Sequence, residues 1–184
     1  MQELVEREIA KIRDSLPDQP AWKLEDDRKE TLWELRPEKA KDYPGQEDIF
    51  VARATYPEMW MAARSGSGFL SRRFSRFGEV FGYVKIDGSE GLRGENFKDK
   101  AAIEDALDAA LKAAEAGAVI GGGTGLRYSY VELALADPEK GIRQAVEVLR
   151  KGNIAKRTWI LFHDAIYAGE WLGVWEDTPP PPGF

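Results

Sequence analysis

The chain contains no cysteine and a single histidine in 184 residues. The first absence excludes disulfides, a thiolate nucleophile and Cys-ligated zinc, iron–sulfur or copper sites. The second excludes a multi-histidine metal centre, and neither a metal nor a cofactor is expected. Positive charge is also scarce. Lys and Arg number 26 against 32 Asp and Glu, a net charge of -6, which weighs against nucleic acid and anionic lipid as partners. No run approaches the roughly 18 apolar residues of a membrane span. The opening MQELVEREIAKI alternates charge with hydrophobe where a signal peptide needs an unbroken apolar stretch. A cytoplasmic protein without membrane contact is therefore the expectation. Ser65 and Ser67 sit in SGSG, which reads as a linker and not as the strand-to-helix elbow a serine nucleophile requires.

What is present suffices for a full core: 43% of residues are hydrophobic and 11% aromatic, so residues 1–184 are read as one domain. In the N-terminal helix and polar arm, residues 1–45, Val5, Ile9, Ile12 and Leu16 have helical spacing up to Pro17. The charge run KLEDDRKE reads as solvated, and TLWELRP is the one strand-like piece of the arm. DIFVARATY and EVFGYVKID have strand character. Between them, EMWMAARSGSGFLSRRFSRFG reads as a broken helix or loop, with SRRFSRF turning Phe inward and Arg outward.

Residues 101–176 form the most regular helix and hairpin core. Ile103, Leu107, Ala110, Leu111 and Ala114 make the apolar face of a helix introduced by Asp99. A second helix has Asp137 as N-cap, Pro138 at its first position and Gly152 beyond its end. RYSYVELALA, RTWILFHD and EWLGVW read as strands, the last two joined as a hairpin. The fold class is α+β, a mostly antiparallel sheet with helices packed on one face and a ferredoxin-like, split β-α-β layout in the C-terminal part. The Pro-rich tail, residues 177–184, reads as an extended cap.

Two motifs bear on function. GGGTG, Gly121–Gly125, follows a helix instead of opening one and lacks the Lys-Ser/Thr pair of a Walker loop, so it reads as a hairpin turn or bulge and not as a phosphate cradle. In RYSYVELAL, Ser129, Val131, Leu133 and Leu135 share one face and Tyr128, Tyr130 and Glu132 the other. The aliphatic set belongs beneath the helices. If the phenolic set stands on an uncovered face, joined by Trp159 and His163 or by Trp171 and Trp175, it is suited to hold a partner. The arrangement that six tryptophans favour has the N-terminal arm, with Trp22 and Trp33, covering that face as a second core. No catalytic residue is assigned. The functional expectation is a non-catalytic protein-binding or interaction domain, of the kind an inhibitor or immunity-type antidote would be. The alternative is a small-anion or nucleotide-binding domain, or an enzyme, using Arg127, Tyr128, Tyr130, Glu132 and His163.

Overall fold

The computed structural model describes residues 6–7, 10, 14, 16–25, 29–39, 41–66, 68–89 and 97–184. The amphipathic pattern of Val5, Ile9 and Ile12 lies outside the described residues. Elsewhere the described chain contains β1 (Thr31–Glu34), β2 (Ile49–Ala54), α1 (Pro57–Arg64), β3 (Val80–Asp87), α2 (Lys100–Ala113), β4 (Gly117–Gly125), β5 (Tyr128–Leu135), α3 (Pro138–Lys151), β6 (Thr158–Phe162) and β7 (Trp171–Gly173).

The seven strands form one sheet in the order β1-β2-β4-β5-β3-β6-β7, and every neighbouring pair is antiparallel. Both long helices start where the sequence signals place them. Asp99 accepts from the Ala102 N–H and Asp137 from the Lys140 N–H, each satisfying a backbone donor that has no partner inside the helix. Ile103, Leu107 and Leu111 of α2 and Ala145 and Leu149 of α3 bury against Val84, Ile86, Val131, Leu133 and Ile160. Each such Ile, Leu or Val contributes about 1.5–3 kcal/mol by leaving water.

α1 breaks the expectation of helices on one face only. Its Met59 and Trp60 pack on the opposite side of the sheet, with Ala21, Phe81, Tyr128, Tyr130 and Trp159. The sheet is therefore covered twice, and all eight residues of β5 are buried.

GGGTG also differs in part from its reading. Gly121–Gly125 is the second half of β4, the chain reverses at Leu126 and Arg127, and the expected bulge falls between Val119 and Gly121. The glycines make room for neighbours. A Cβ on Gly125 would stand 2.3 Å from the Asp48 carboxylate, and one on Gly122 2.3 Å from Glu104 Oε1. The tail caps the covered face, with Pro179 O accepting from Trp159 Nε1 at 2.6 Å. Among the described residues no helix is long and apolar enough to cross a membrane.

Candidate functional site

The register across β5, β3 and β6 sets side chains in rows on the face opposite α2 and α3. Tyr130, Lys85 and Trp159 form one row; Glu132, Tyr83 and Leu161 form the next. His163 follows two residues after Leu161, on the same face, and its N–H extends the pairing by donating to Phe81 O.

Over these rows lies the segment 42–48, and buried polar groups pin it down. Lys85, 1% exposed, donates from Nζ to Tyr43 O at 2.5 Å and to Gly45 O at 2.8 Å. Its ammonium sits 4.1 Å from the centre of the Tyr128 ring, a cation–π contact. Asp48 is fully buried and accepts from the backbone N–H of Arg127 and Tyr128 at 2.8 and 2.9 Å, and from the Tyr130 hydroxyl. Burial pushes the Lys85 ammonium down to about 8, against the opposing pull of Asp48 and Asp42. Burial, reinforced by the bond to Asp48, raises the Tyr130 phenol and keeps it protonated.

Gln46 carries this segment to the centre of the site. Its amide donates to Glu132 Oε1, while Glu132 Oε2 lies 2.8 Å from His163 Nε2. The side chains of His163 and Glu132 are only 6% and 1% exposed. A carboxylate oxygen accepts, so in a neutral ring this contact selects the tautomer with the proton on Nε2 and the lone pair on Nδ1. The ring is held between Tyr83 and Phe69, at centroid distances of 5.0 and 5.7 Å. Burial and the negative Glu132 both raise the Tyr83 phenol, which stays a neutral donor.

A cleft of about 280 Å³ opens here, lined by Gln46, Arg64, Tyr83, Phe162 and His163 among others. Arg64 closes α1. Its Nη1 donates to Gln46 O at 3.0 Å and its guanidinium lies 4.9 Å over the Trp60 ring, which stacks on Trp33. Larger hollows have different character, among them one of about 330 Å³ between Leu70, Val80, Ile166 and Tyr167. One of about 390 Å³ is mostly apolar, between Leu24, Tyr56, Met59 and Phe74. Another, of about 470 Å³, holds Glu104 and Asp108, whose carboxylates are ion-paired to Arg53, Lys100 and Lys112. Among the described residues no group of three or more His, Asp or Glu is arranged to hold a metal ion.

The expected site residues therefore divide. Glu132 and His163 meet at the cleft. Tyr130 and Trp159 are 0% exposed and Tyr128 1%, so the aromatic face is a second core, as the tryptophan content favoured, and these three are corrected as open contact residues: segment 42–48, α1 and the tail seal them. Tyr128 stands two rows from Glu132, about 13 Å along β5, and Arg127 one residue further, in the turn before the strand. They join a separate network in which Arg127 and Arg157 both bind Asp87 and Asp42, and Arg157 donates to the Tyr128 hydroxyl. Trp171 packs at the margin of the same core as Trp159. Trp175 lies against the core on the other side of the sheet, donating to Ile154 O. Asp164 turns away from His163 and accepts from the N–H and hydroxyl of Ser71.

Sequence reasoning missed Gln46, Asp48, Arg64, Tyr83 and Lys85. For two of them a signal existed: FGYVKID alternates, putting Tyr83 and Lys85 with Phe81 on one face of a strand whose every residue after Val80 is buried. A lysine inside such a strand must find acceptors overhead. Fold and site together define an α+β domain with a buried histidine–carboxylate pair at the foot of a cleft. No protein-family model, no curated protein and no solved structure matches the chain.

Proposed function

We propose that the protein is a small-ligand-binding domain and that the His163–Glu132 cleft is its site. The observation that carries this reading is the pair itself. A sequestered carboxylate orients the lone imidazole beside an opening that also presents a guanidinium and a phenol. Convergent polar groups in a concave opening are a mark of a ligand pocket. At about 280 Å³ the cleft suits a molecule of about ten heavy atoms better than a nucleotide. The protein-partner reading was built on an aromatic sheet face, and with that face covered the cleft is the better-supported surface.

The chain's single histidine provides the test. Its ring protons give one assignable NMR signal, to be followed while small polar fragments are titrated. Binders are expected to move it, and Glu132→Gln is expected to weaken them. Fragments that bind without moving the His163 signal would place function elsewhere.

We further infer that β3-α2-β4-β5-α3-β6 is a ferredoxin-like, split β-α-β unit. Its support is the order β4-β5-β3-β6, in which β5 separates β3 from β4, and the burial of both helices in one core.

A further inference from the structure

Arginines that are partly shielded in this protein have carboxylate partners. Arg53 is ion-paired to Glu30 and Glu104, and Arg127 and Arg157 to Asp42 and Asp87. Arg64 is different: among the described residues it has no carboxylate within 4.0 Å, and its one hydrogen bond goes to the neutral Gln46 carbonyl. Burial acts on its guanidinium with only the more distant Glu132 and Glu47 charges in compensation. Glu132 is not free to turn towards it, because Gln46 and His163 occupy its two oxygens. A guanidinium keeps its charge at any pH a protein survives and presents five donors in a planar fork matched to a carboxylate. Arg64 thus lines the cleft with donors and charge that the fold leaves unmatched.

The charge count narrows the ligand. One guanidinium offers one positive charge, while Glu132 and Glu47 stand close enough to repel a second negative one. A phosphate monoester, carrying close to two charges near neutral pH, is disfavoured against an anion carrying one. The Tyr83 ring and the Ala63 methyl supply apolar lining, and the glycines at 45 and 66 add no bulk. We infer that the cleft takes a small organic monocarboxylate, its carboxylate on Arg64 and its apolar body against Tyr83 and Ala63. This rests on the reading of the cleft as a ligand site.

The test is calorimetric titration of the full chain with benzoate, 3-phenylpropanoate, benzamide and phenyl phosphate, with the His163 ring signal recorded alongside. At least one of the two carboxylates is expected to bind and to move the His163 signal. Benzamide and phenyl phosphate are each expected to bind at least about tenfold more weakly, and Arg64→Gln to weaken the carboxylate by about tenfold or more. If Arg64→Gln fails to fold, the carboxylate-to-benzamide ratio on the native chain decides alone. Benzamide binding as well as benzoate, or phenyl phosphate binding more tightly, while moving the His163 signal overturns the monocarboxylate and leaves the cleft standing. Failure of all four probes to move that signal overturns the monocarboxylate and counts against the cleft.

Discussion

Single buried polar residues hold the covering layer of this protein in place, and their removal has calculable consequences. Asp48 is the most heavily used. Replacing it by Ala strands two backbone N–H groups and leaves the Tyr130 hydroxyl only its longer bond to Gly45 O, at a cost of about 3 kcal/mol in denaturant unfolding. Lys85 links stability to pH. Its folded value of about 8 lies below the roughly 10.4 of an unfolded lysine. Between about pH 8 and 10 the unfolded chain thus binds the proton that the folded chain has released, and stability rises with pH. Below that window the cost of carrying the buried charge is complete and constant. The native protein should gain on the order of 2 kcal/mol between pH 8 and 10 relative to Lys85→Met. Equal pH slopes for the two proteins would contradict this. Asp87 acts with the opposite sign. Burial opposes its ionisation, but hydrogen bonds from Arg127, Ser89 and Arg157 prevail and hold its carboxyl well below the usual range. Its stabilisation is present above about pH 4 and is lost as pH falls through the folded value. Asp87→Asn should therefore lose less stability than the native protein between about pH 4 and 2.

At the scale of elements, the parts governed by local signals were legible and the parts governed by contact were not. α3 was readable because Asp137, Pro138 and the apolar spacing of Ala145 and Leu149 agree; Asp137→Ala should cost about 1 kcal/mol through the lost cap. The two faces of β5 were readable from period-two alternation. What alternation cannot reveal is whether a face is covered. The covering segment 42–48 has no secondary structure of its own before β2, and each polar residue in it has a solvated appearance until its partner on the sheet is known. GGGTG was misplaced for the same reason: its glycines answer to Asp48 and Glu104, which are distant in sequence. Gly125→Ala sets a methyl group 2.3 Å from Asp48 Oδ1. It should destabilise by about 2 kcal/mol or more, a loss readable as a lower melting temperature, whereas a turn glycine with open space beside it would lose far less.

At the scale of the molecule, one sheet supports two cores with different construction. The core under α2 and α3 is aliphatic and is held by regular helices. The other is aromatic and is sealed by α1, a tail and an arm pinned through Lys85, Asp48 and Glu132. Deleting residues 1–47 would uncover Tyr128 and Tyr130, which meet Asp42 and Gly45, and the remainder should bind a hydrophobic dye and lose its cooperative melting transition. The cleft exists because the two construction modes meet at its edge, where Gln46 of the arm and His163 of the sheet share one carboxylate. Nitrogen-15 NMR of the lone histidine, recorded at a pH where its imidazole is neutral, tests that junction most directly. The account predicts the Nε2–H tautomer with Nδ1 unprotonated, and a shift of the Nε2 resonance in Glu132→Gln. A predominant Nδ1–H tautomer, or a resonance indifferent to Glu132, would contradict it.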